Sequence, residues 1–111
     1  MTARLATHML VSMLVRRVEA LGGFAAIVHR GDRTSGTILV QCLEKGRETG
    51  LFERVSDHTD GHRLVPCGPP PESEWGASAQ YIARRRKSDP DLWLIELDIA
   101  DAERLAVESL A

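Results

Sequence analysis

Apolar positions along the chain fall into two recurring units. In each, an apolar helical segment ends in arginines, meets a breaker, and runs into an apolar strand. The first unit is Leu10 to Leu21, then Gly22-Gly23, then Phe24 to Val28. The second is Ala79 to Lys87, then Ser88-Asp89-Pro90-Asp91, then Leu92 to Ile95. With so few matching residues, chance accounts for the likeness at least as well as a diverged repeat.

Helix one is predicted to start near Thr7, as N-cap, and to stop at Gly22-Gly23. Leu10, Leu14, Val18 and Leu21 share one helical stripe, with Val11 beside it. Phe24 to Val28 is a buried strand. Arg30 to Gly36 has turn chemistry. Thr37 to Leu43 is a second strand, expected to form a hairpin with the first. After the polar turn Glu44 to Gly50, Leu51 to Val55 gives a third strand at or near a sheet edge. Asp60-Gly61 signals another hairpin, returning through His62 to Val65.

Pro66 and Gly68-Pro69-Pro70-Pro71 form a stiff loop. Helix two is expected from near Ser73, with Trp75, Ala79 and Ile82 on one stripe. Asp89-Pro90 ends it, because the residue before proline is pushed out of the α region. Leu92 to Leu97 is apolar on both faces and therefore central in the sheet. The tail from Asp101 to Leu110 leans helical, with a strand over Leu105 to Val107 as the alternative.

This order is helix, four strands, helix, strand, tail. It predicts a single α+β domain over residues 1–111, with about five mostly antiparallel strands and the helices packed on one face.

Composition narrows the function classes. A chain of 111 residues with 43% hydrophobic and 27% charged residues is one globular domain. A net charge of −2 argues against a general polyanion binder. Two lysines stand against twelve arginines, so nearly every cation is a planar fork. Cys42 and Cys67 make neither a disulfide framework nor a zinc spacing. No stretch approaches the roughly 20 apolar residues of a membrane span. A cytoplasmic protein without cofactor or membrane attachment is expected.

One combination of residues is distinctive. It comprises Arg16-Arg17-Val18-Glu19, Gly22-Gly23-Phe24-Ala25, His29-Arg30-Gly31-Asp32, Gly36 with Ile38-Leu39-Val40, and Asp89-Pro90-Asp91-Leu92-Trp93-Leu94-Ile95-Glu96. Together they resemble a family of small bacterial proteins classed as a domain of unknown function. The likeness runs to about Asp98. It implies a compact bacterial domain and supplies no activity.

Candidate chemistry is sparse. Arg17 and Arg86 fall near the apolar margins of their helices, while Arg16 and Arg84 point away. The structural reading is favourable interaction with helix C-termini and apolar cover by aliphatic stems. The pairing partners nearest to Arg86 are Asp89, Asp91 and Glu96. The sharper reading is an anion-binding set of Arg17, Arg84, Arg85 and Arg86. A nucleic acid could use these cations with Tyr81 or Trp75 for stacking, but adjacent helical residues spread around the axis.

Asp57-His58-Thr59-Asp60-Gly61-His62 holds potential metal ligands, yet a hairpin turn wants the same residues for its backbone. The turn is preferred and no metal is assigned. Arg30-Gly31-Asp32 spells an adhesion tripeptide and is read as a turn. A small enzyme with a cysteine or histidine site is a less favoured alternative, its candidate set being Cys42 or Cys67 with His29 or His62; Cys42 looks buried and Cys67 more accessible. No motif with a catalytic mechanism is present, so no catalytic residue is assigned.

The leading expectation is a non-enzymatic interaction module that dimerises through helix one. That helix is apolar on more than one side, with Met13 and Val15 flanking its main stripe, and so needs two neighbours. The runner-up is an anion- or nucleic-acid-binding protein using the helix-end arginines.

Overall fold

The computed structural model describes residues 5–57 and 61–111. Helix α1 spans Thr7–Ala20. Thr7 is its first helical residue, one place inside the cap expected for it. The amides of Thr7 and His8 donate to the carbonyls of Thr34 and Arg33 at 3.1 and 2.9 Å, so a distant loop satisfies two orphan donors of the helix. At the other end Gly22 takes a φ of 86° and the Gly23 amide returns to the Val18 carbonyl at 2.9 Å. That is a Schellman stop, which the glycine pair predicts. The buried stripe is Thr7, Val11, Leu14 and Val18. Leu21 lies past the last turn and is 59% exposed, so the expected stripe is rotated toward Val11.

The strands are β1 (Phe24–His29), β2 (Ile38–Glu44), β3 (Arg47–Ser56), β4 (His62–Pro66) and β5 (Trp93–Asp98). Their order in the sheet is β1-β5-β2-β3-β4. The β1–β2 hairpin expected from adjacency does not form. Strand β5 inserts between them, antiparallel to β1 and parallel to β2, which makes the sheet mixed. Apolar on both faces, β5 buries itself fully only between two neighbours.

The loop between β1 and β2 then folds onto the start of β5. The Asp32 amide donates to the Asp91 carbonyl at 2.9 Å, and the Trp93 indole Nε1 donates to the Asp32 carbonyl at 2.7 Å. A Cβ on Gly31 would collide with the Asp91 carbonyl, which explains a glycine there. The Arg30-Gly31-Asp32 stretch therefore serves this close packing.

The turn between β2 and β3 is tighter than the polar stretch suggests. Strand β3 begins at Arg47, leaving Lys45 and Gly46 at φ 54° and 82° as a two-residue hairpin turn. The Asp98 carboxylate clamps it, accepting from both amides at 2.8 Å.

Two helices complete the chain, α2 (Ala77–Ser88) and α3 (Ala102–Leu110). The tail is thus helical, burying Ala102, Leu105, Ala106 and Leu110. Helices cover both faces of the sheet, not one. Helices α1 and α3 pack on Ile38, Val40, Cys42, Phe52, Trp93, Ile95 and Leu97. Helix α2 contributes Ile82 and Tyr81 to a smaller core on the other face, with Leu39, Leu51, Leu92 and Leu94. Helix α2 starts four residues later than expected, after Gly76 at φ 89°. Trp75 consequently lies outside the helix and is fully exposed, so the stripe expected through it does not exist.

Candidate functional site

Helix α2 turns Ser78, Tyr81, Ile82 and Arg85 toward the sheet, where they are buried or half-buried. Glu48 and Glu53 of β3 meet them. Glu48 accepts from Ser78 Oγ at 2.8 Å and from Gln41 Nε2 at 2.7 Å. Glu53 accepts from Arg85 Nη1 at 2.9 Å, and the same nitrogen donates to the Tyr81 hydroxyl at 2.7 Å. The guanidinium lies 5.8 Å from the Tyr81 ring centroid. This polar seam fastens α2, whose buried apolar content is Ile82 alone.

The four candidate arginines do not form one fork. Arg17 lies on α1, on the opposite side of the sheet from α2. It bridges to Glu108 and Ser109 of α3. Arg85, not Arg86, is the inward residue of α2. Its hydrogen bond to Glu53 raises its affinity for its proton well above the usual arginine range, against the cost of burial. Arg86 is exposed, and its Nη2 meets His29 Nδ1 at 3.0 Å, not Asp89, Asp91 or Glu96. Arg84 is exposed. Arg86 aligns with the direction of Trp75, and Trp75 lies outside the helix, so that alignment does not mark the buried face.

Neither thiol is primed as a nucleophile. Burial among apolar side chains, with Glu103 and Glu48 adding to it, pushes Cys42 up to about 12. Burial also raises Cys67, although a hydrogen bond with Tyr81 and the charge of Arg85 oppose it. A reactive cysteine needs the opposite shift. Every buried side-chain nitrogen and oxygen among the described residues has a hydrogen-bond partner. The seam is consistent with a structural fastening.

His58, Thr59 and Asp60 lie outside the described residues. Among the described residues, no group of three or more His, Cys, Asp or Glu could hold a metal ion. No helix among the described residues is long and apolar enough to cross a membrane. Two of the surface grooves among the described residues bear on the site. One, of about 360 Å³, is lined by Glu44, Lys45, Arg47 and Thr49 beside the β2–β3 turn. The other, of about 150 Å³, is lined by Phe24, Ala25, Ala26, Leu43, Glu96 and Asp98.

The second groove opens on a feature that the sequence pattern missed. Apart from Arg86 against His29, helix α2 leaves β1 uncovered on its side of the sheet. Phe24, Ala26 and Val28 all point there and are exposed, Phe24 by 80% and Val28 by 52%. An apolar run of this kind reads as buried; only its place at the sheet edge exposes it.

A crystal structure of a DUF1491 family protein from Caulobacter crescentus superimposes with a TM-score of 0.79 at 25% identity, covering 92% of this chain and 94% of that one. The solution structure of protein Atu0922 from A. tumefaciens gives a TM-score of 0.73 at 29% identity, covering 93% and 92%. No curated protein matches the sequence. The family described as "Protein of unknown function (DUF1491)" matches residues 5–107. This chain, in sequence and in fold, belongs to the DUF1491 family.

Proposed function

We propose that the protein is a small non-enzymatic interaction module of the bacterial cytoplasm that works as a homodimer. The observation that carries this reading is the apolar surface around the junction of α1 and β1. Leu21 and Phe24 flank the turn and are 59% and 80% exposed. Met9 and Met13 are exposed as well, on α1, which packs on the face of the sheet opposite to the one Phe24 points to. Large apolar side chains left exposed beside one another, as Leu21 and Phe24 are across this turn, favour association. Two free thiols, one buried and one half-buried, agree with a reducing compartment. Sedimentation at micromolar concentration tests the reading: a dimer supports it, and a monomer sinks it.

The second reading, anion or nucleic-acid binding, is favoured by one arrangement. The last turn of α2 exposes Arg84, Arg86 and Lys87, and Arg86 reaches His29, next to exposed Arg30. Oligonucleotide binding that weakens steeply with salt would favour it.

A further inference from the structure

The two edges of the sheet are defended differently. Strand β4 carries His62, Arg63 and Pro66 in five residues. Charge and proline are the usual means of preventing an edge from pairing with another chain. Strand β1 reads Phe-Ala-Ala-Ile-Val-His, with no proline, lysine or carboxylate. Its inner edge pairs with β5, and no other strand pairs with it among the described residues. Its bulge lies between Ile27 and His29, yet burial still alternates along the whole strand.

We propose that the occupant of this edge is a second copy of the chain, β1 pairing antiparallel with β1 about a two-fold axis at Ala26. This rests on the self-association reading and names its interface. With the axis normal to the sheet, Phe24 of one copy faces Val28 of the other, and Ala25 faces Ile27. Aromatic and β-branched side chains are favourable cross-strand partners. Two copies of Phe24 and Val28 then cover one another on the side that α2 leaves bare. On the other side, Ala25 and Ile27 already pack against the main core.

The charges agree in sign. The C-terminal end of β1 carries His29 and Arg30, with Arg86 against His29. Its N-terminal end lies beside Asp98, the registered partner of Phe24 on β5, while Glu96 sits opposite Ala26 at the axis. Antiparallel pairing brings the cationic end of each copy toward the anionic end of the other. Parallel pairing would oppose like ends. A ten-stranded sheet running through both copies results.

Sedimentation equilibrium with the parent and five variants tests this. Ala26→Glu puts like charges face to face at the axis and is expected to weaken the dimer by more than about tenfold. Phe24→Lys and Val28→Glu should each dissociate it. Their combination should restore it, because the two positions meet across the axis and not within one copy. Circular dichroism reports whether each variant folds, and amide exchange in the parent should show protection in residues 24–28 that dilution removes. A dimer that survives Ala26→Glu but is lost in Met13→Glu overturns the β1 pairing and leaves the helix-one interface standing. A dimer lost in both single variants but not restored in the double overturns the Ala26 register. A parent that stays monomeric overturns the pairing and the self-association reading together. A monomer whose β1 amides become protected only with another protein assigns the edge to that protein instead.

Discussion

Glu53 on β3 and Arg85 on α2 form an ion pair at 2.9 Å with both side chains about three-quarters buried, at 24% and 26% exposure. The pair joins elements 32 residues apart and does much of what apolar packing does for α1. Arg85→Ala leaves Glu53 without its cation and the Tyr81 hydroxyl without its donor. Loss of a charge-assisted bond at this depth costs about 1–3 kcal/mol. Arg84→Ala, on the exposed side of the same turn, should stay within about 0.5 kcal/mol of the parent. Urea denaturation of the two variants checks both. Equal stability would mean that α2 is held by something other than the seam.

The thiols should separate by accessibility. Cys42 is fully buried in β2 and Cys67 only half-buried. A thiol reagent at neutral pH should label Cys67 slowly and Cys42 only on unfolding. The folded state also prefers the protonated form of Cys42, raised from 9.0 to about 12. A raised value means a contribution present below the ordinary thiol range and lost as pH climbs from about 9 toward 12. Cys42→Ala should flatten the fall in stability across that alkaline window.

Asp32 shows the opposite sign. Its carboxylate accepts from the amides of Ser35 and Thr34 at 2.9 and 3.1 Å, and these bonds, Ser35 first, hold it below its ordinary range. A lowered value means a contribution present above the ordinary carboxylate range and lost as pH falls through the folded-state value. Asp32→Asn should therefore remove part of the acid sensitivity of the loop. Gly31→Ala attacks the same loop by sterics and should cost on the order of 2 kcal/mol, since the Asp91 backbone stands in the way. Melting curves from neutral to acid pH measure both effects.

The two tryptophans should report opposite environments. Trp93 is buried and its indole is bonded to Asp32, whereas Trp75 is fully exposed. Trp75→Phe should remove the red-shifted, easily quenched part of the fluorescence and leave stability within about 0.5 kcal/mol. A blue-shifted Trp75 would show that the surface before α2 is covered in solution.

Much of this fold is written in short-range signals. The Gly22-Gly23 stop, the centrality of β5 and the helical tail all follow from local composition or two-sided apolarity. What local signals do not carry is which strands meet. Adjacency favours a β1–β2 hairpin, and the need of β5 for two neighbours overrides it. The seam escaped for the same reason. Glu48 and Glu53 look like solvated strand residues until α2 is placed over them, and Trp75, a core residue by type but fully exposed, draws the expected start of α2 toward the N-terminus. The apolar β1 was legible as a strand, but its exposure follows only from its place at the edge.

The central claim is that this exposed strand is an interface between two copies. Sedimentation equilibrium of the parent beside Ala26→Glu tests it most directly. The account predicts a parent at twice the chain mass and a folded variant at the chain mass. A dimer of unchanged affinity in the variant, or a monomeric parent at the same concentration, would contradict it.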